Sequence, residues 1–84
     1  MGRYTRAIDR ATIRHNYYGG ENLMLWSKNH SGLLASISID THYNAVEWNL
    51  SRGMTMVDRI SAEDGLIYEI WEGNGYRNAI REEN

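Results

Sequence analysis

The spacing of apolar residues first changes at Gly19 and Gly20, and that change sets what the chain can fold into. On the N-terminal side, at 100° per residue, Tyr4, Ala7, Ile8, Ala11, His15 and Tyr18 fall within about 100° of one another. Residues 3–18 therefore predict an amphipathic helix that the glycine pair ends. The rival is an extended segment from Thr12 to Tyr18, pairing with Asn22 to Trp26 across GGEN. His15 falls on the apolar side of the expected helix and reads as a hydrogen-bonded core residue.

On the C-terminal side the period is two. NLMLWSK and LLASISIDTHY read as neighbouring strands, and AVEWNLS reads as a third, with Val46, Trp48 and Leu50 on one face. Met56, Val57 and Ile60 return to helical spacing, Thr55 with Asp58 resembles a capping box, and Gly65 can close the end, so residues 55–64 predict a short second helix. LIYEIWE and YRNAIRE are two strands joined through Asn74-Gly75, a strong hairpin signal. The expected fold is α+β: an N-terminal amphipathic helix and a short second helix packed on an antiparallel sheet of about five strands, in the order αβββαββ.

An 84-residue chain closes around one modest core and buries only about 60% of its unfolded surface, so residues 1–84 read as one domain of marginal stability. Help from oligomerisation, including a homodimer, fits that size. With no cysteine, disulfides, thiol nucleophiles and the usual structural zinc sites are excluded. No stretch approaches a membrane span and MGRYTRAIDR lacks the apolar stretch of a signal peptide, so a cytoplasmic location is expected.

The constellations for catalysis are thin. Asp40 and His42 share the polar face of a strand and, with His30 or Glu21, could form a two-histidine, one-carboxylate metal site, but such a pair arises easily by chance. Ser31, His30 and Asp40 assemble a triad only on paper, without a nucleophile elbow. Neither Gly19 with Gly20 nor Gly73 with Gly75 has phosphate-loop spacing. No enzyme, metal or cofactor is expected.

The polar side of the first segment carries more information. Arg3, Arg6, Arg10 and Arg14 lie within about 80° of one another on a helical wheel, with Tyr17 among them and only Asp9 as a local acid. Like charges four apart cost a helix a few tenths of a kcal/mol per pair, so external anions should complete the ridge. The chain's own second half is the first candidate, because residues 1–42 sum to +2 and residues 43–84 to −4. An acidic protein partner is the second. Nucleic acid is the third, set against a net charge of −2, a pI near 5.8 and a single lysine.

Three tryptophans and six tyrosines without one phenylalanine add rings with polar handles, the types enriched at binding hot spots. These features lead to the expectation of a small non-enzymatic module that binds a larger protein or protein complex, as an adaptor or an inhibitor of the kind encoded by phages or mobile elements. Its expected contact residues are Arg3, Arg6, Arg10, Arg14 and Tyr17, with Glu69 and Glu72 as a second, acidic surface. The alternative is a nucleic-acid-binding regulator that uses the arginine face of the helix.

Overall fold

The computed structural model describes residues 2–28 and 32–83. Its elements in chain order are β1 (Ile8–His15), β2 (Glu21–Ser27), β3 (Leu33–Asp40), α1 (Ala45–Ser51), β4 (Thr55–Ser61), β5 (Ile67–Gly73) and β6 (Tyr76–Arg81). The strands form one mixed sheet in the order β1-β2-β3-β6-β5-β4, curled into a half-barrel. Two antiparallel meanders, β1-β2-β3 and β4-β5-β6, join through a short parallel pairing of Ile39 with Ala79 and Asp40 with Ile80. Parallel neighbours need a long crossover, and α1, β4 and β5 together supply it.

The described residues are 54% strand and 9% helix, which overturns the expected α+β arrangement with its N-terminal helix and five antiparallel strands. Residues 3–7 form turns and residues 8–15 are strand, so the segment is extended as in the rival reading, but the strand starts four residues earlier and ends at His15, with Tyr17 and Tyr18 in the turn. Ala11 pairs with Leu25 and Ile13 with Leu23, while Arg10, Thr12 and Arg14 alternate to the other face. The strand also relieves the charge conflict: residues four apart lie about 6 Å apart on a helix but roughly 13 Å apart along a strand. Gly19, at φ +99°, makes the turn into β2. His15 is exposed, its Nδ1 3.6 Å from Glu21 Oε2, and is not a core residue.

Two further segments exchange identities. AVEWNLS, expected as a strand, is α1, which buries Ala45 and Asn49, four residues apart, and leaves Val46, Trp48 and Leu50 exposed. TMVDRIS, expected as a helix, is β4 and pairs with β5 in a register that slips between Met56 and Asp58. Asp58 does act as a cap, but for the N-terminal turn: its carboxylate accepts the backbone N–H groups of Tyr4 (2.6 Å), Thr5 (2.7 Å) and Arg59 (2.7 Å) and the Thr5 hydroxyl (2.6 Å).

The main core lies inside the curl. Leu23, Leu25, Ile37, Tyr68 and Ile70 are fully buried there, each aliphatic side chain contributing about 1.5–3 kcal/mol. Ala11 from β1 and Ile60 from β4 belong to the same cluster, so the two ends of the sheet fold over one interior. Backbone bonds draw those ends together: Arg3 N–H to the Val57 carbonyl at 3.0 Å and Glu63 N–H to the Ala11 carbonyl at 2.9 Å. Covering its edges in this way limits the unpaired edge that a curled sheet otherwise presents.

Candidate functional site

Helix α1 is held on the outer side of β5 and β6. Ala45 packs with Met54, Trp71 and Ile80 in a second small core, and Asn49, fully buried, exchanges amide hydrogen bonds with Asn78 of β6. Gly53, at φ +72°, follows the last turn and redirects the chain into β4. With Ala45 and Asn49 turned down, the remaining face of a seven-residue helix must point to solvent.

That face carries an aromatic and arginine cluster. The Arg52 guanidinium lies 3.9 Å from the Trp48 ring centroid and 5.0 Å from that of Tyr76, and the two rings meet edge to face at 6.2 Å. Trp48 is 42% and Tyr76 48% exposed. The two rings hold the guanidinium without neutralising it, for Arg52 has no carboxylate partner among the described residues. Beside the cluster runs an open groove of about 330 Å³ lined by Ser38, Asp40, His42, Trp48, Met54 and Tyr76. Its floor is the junction where β3 meets β6.

The residues singled out in the sequence are not brought together. Arg3 pairs with Glu72, so the chain's own acidic half completes that arginine, as the first candidate required. Glu72 also accepts from the Tyr4 hydroxyl, which leaves it little capacity for a partner. Arg6 lies in the N-terminal turn, Arg10 and Arg14 on the outward face of β1, and Tyr17 in the β1–β2 turn, where its ring meets Tyr18 edge-on at 5.0 Å. Glu69 accepts from Trp71 Nε1 at 2.9 Å and sits in a second hollow with Arg81, Glu82 and Glu83. The expected ridge is thus divided between an ion pair, a turn and a sheet face.

Trp48 was missed as a site residue because alternation placed it with Val46 and Leu50 on one face of an expected strand. Ala45 and Asn49 at helical spacing, followed by Gly53 at the C′ position, were the usable signal. Alternation over seven residues is too short to separate a strand from a helix whose small residues face inward.

The ionisable groups with resolved shifts all move away from neutrality. Burial, then hydrogen bonding to Glu72, raises the Tyr4 hydroxyl above its usual value; burial, then hydrogen bonding to Asp64, does the same for Tyr68. Hydrogen bonding to Tyr68 raises Arg81, and the Glu82 carboxylate raises Arg59. Burial alone would raise Asp58, but its bonds from Thr5, Arg59 and Tyr4 together outweigh that and hold it below the usual carboxylate range. Glu82 is held low by Arg59. Such shifts lock protonation states at neutral pH and poise none of these groups for proton transfer.

Asp40 Oδ1 accepts the backbone N–H of His42 at 2.9 Å, a turn-closing bond. No group of three metal-ligating side chains assembles among the described residues, and His30 and Ser31, invoked for the metal site and the triad, lie outside them. No protein-family model, curated protein sequence or solved structure matches the chain.

Proposed function

We propose that this protein is a small, non-enzymatic binding module that docks on a larger protein through the α1 surface, as an adaptor or as an inhibitor that occludes its partner. The observation that carries the reading is the contact of the Arg52 guanidinium with the Trp48 and Tyr76 rings beside an open groove. Tryptophan, arginine and tyrosine are the three residue types that dominate interface energetics, and here they are preassembled. A guanidinium already held against two rings loses little freedom when a partner carboxylate meets it. Val46 and Leu50 are exposed on the opposite flank of the same helix.

Membrane insertion through a helix has no support, since no helix among the described residues is long and apolar enough to cross a bilayer. The test is capture from the native host by immobilised wild type, set against Trp48→Ala and Arg52→Glu. A partner retained by wild type and reduced at least about tenfold by either substitution is the expected result, the loss of one hot-spot residue. Identical captured proteins for all three, with both variants folded, would sink the reading.

A further inference from the structure

The outward face of β1, β2 and β3 lies on the same side of the sheet as α1 but is not covered by it. Its cross-strand rows are Arg10 with Trp26 and Leu33, Thr12 with Met24 and Ser36, and Arg14 with Asn22 and Ser38. Trp26 is held in one orientation: its Nε1 donates to Thr12 Oγ1 at 2.9 Å, and the Arg10 guanidinium lies 4.8 Å from its ring centroid. Asn22 donates to Ser36 Oγ at 3.0 Å, which sets out a row of hydroxyl and amide groups next to the ring.

The charge on this face is uncompensated. Arg10 and Arg14 are exposed and form no ion pair among the described residues, and the same holds for Arg6 and Lys28 at the end of the face nearest Trp26. Lys28 is placed there by its backbone bond to the Ala7 carbonyl. Asp9 is the extra residue of the bulge between Ile8 and Arg10, and Asp40, at the far end of β3, is engaged with the His42 backbone. Glu21, at the start of β2, is taken by Arg81 at 2.9 Å. Arg10, Arg14 and Lys28 thus give this end of the sheet cations without ion-pair partners among the described residues, despite a net charge of −2.

We propose that this face binds single-stranded nucleic acid, with Arg10, Arg14 and Lys28 at the phosphates and a base stacked on the platform made by Trp26 and Arg10. An open sheet face with an aromatic ring and flanking arginines suits an unpaired strand, because every base offers a π-face and the backbone follows the cations. The duplex mode expected of an arginine-bearing helix in a major groove is lost with the helix itself. A protein partner would need an apolar centre, whereas the middle rows here present Thr12, Asn22, Ser36 and Ser38, with Met24 between them buried. The proposal is independent of the α1 surface.

The test is a fluorescence-anisotropy titration of the intact protein with a labelled oligothymidylate at low and raised NaCl, with duplex DNA and polyglutamate as competitors. The expected result is binding that weakens with salt, quenches tryptophan fluorescence and resists both competitors. Arg10→Gln with Arg14→Gln should cut affinity at least tenfold and lower the log–log salt slope by about 1.4, from roughly 0.7 per phosphate contact on single strands. Should that double variant fail to fold, Arg14→Gln alone, at an exposed side chain without partners, should lower the slope by about 0.7. Absence of binding at low salt, an unchanged slope in the folded variants, or equal displacement by polyglutamate overturns the proposal, the last by showing an acidic polypeptide to be the ligand.

Discussion

The side-chain amides of Asn49 and Asn78 each donate to the other's carbonyl oxygen, at 2.7 and 3.0 Å, and by doing so bolt α1 to β6. Asn49 is fully buried, and its backbone carbonyl also accepts from Arg52 and Met54 at the helix end. A buried amide finds a reciprocal partner only in one register, so this pair decides where the helix sits and hence where Trp48 and Arg52 point. Replacing either residue by alanine leaves the other amide unpaired and should cost about 1–3 kcal/mol. The double alanine variant should cost less than the sum of the two singles, a coupling of at least about 0.5 kcal/mol in urea unfolding. Strict additivity would show that the pair does not act as a unit.

Asp58 ties the N-terminal turn to β4, and its lowered pKa makes that tie pH-dependent. Above about pH 4, the ordinary aspartate value, the native carboxylate contributes its full stabilisation. As pH falls below that value, the unfolded chain takes up a proton before the native chain does, so stability drops until the native-state pKa is passed. Asp58→Asn should lower stability at neutral pH by about 2 kcal/mol and flatten this acid limb. Equilibrium unfolding followed from pH 7 downward checks both effects, and an acid limb as steep as that of wild type would refute the assignment.

Gly73 stands where β5 passes the end of α1. A Cβ built there would lie 2.8 Å from the Gly53 carbonyl oxygen and 2.9 Å from Met54 Cα, both backbone atoms that cannot swing aside. Gly73→Ala should destabilise by about 2–4 kcal/mol, through both its φ of +154° and the clash. Gly65→Ala, at φ +82° with nothing within 4 Å, should cost only the backbone term of roughly 1–2 kcal/mol. Thermal midpoints of the two variants give the comparison, and equal losses would mean that the close approach does not matter.

Two tyrosine hydroxyls plug the interior: Tyr68 donates to Asp64 and accepts from Arg81 Nε at 2.9 Å, while Tyr4 donates to Glu72 and accepts from Arg77 at 3.1 Å. Tyr68 is fully buried and Tyr4 half-buried, so Tyr68→Phe should cost about 1–3 kcal/mol and Tyr4→Phe less. Burial, reinforced by the carboxylates, raises both hydroxyls, so their contribution is complete below about pH 10 and is lost as pH rises through their native values. Alkaline unfolding of wild type should therefore begin above pH 10 and be diminished in the double phenylalanine variant.

Much of the sheet was legible. The strands at Glu21–Ser27, Leu33–Asp40, Ile67–Gly73 and Tyr76–Arg81 coincide with apolar runs bounded by turn residues, and Asn74, at φ +51°, sits in the hairpin its Asn-Gly pair announces. The candidate site was not. Its tryptophan and arginine lie on a helix whose inward residues are an alanine and an asparagine, which no hydrophobic pattern marks.

Sequence alone determined the local strand-forming segments, the absence of disulfides and the charge asymmetry between halves, because each depends on residue type and near neighbours. Tertiary structure decided the three segments that reversed: residues 8–15, 45–51 and 55–61. Each is short and ambiguous in period, and the free energy that chooses its state comes from partners far along the chain: β2 for the first, Asn78 and Ile80 for the second, β5 and the N-terminal turn for the third. Propensities worth a few tenths of a kcal/mol per residue cannot compete with burial worth several times more. The division of the arginines follows from the same contacts, and with it the surfaces this protein offers to a partner.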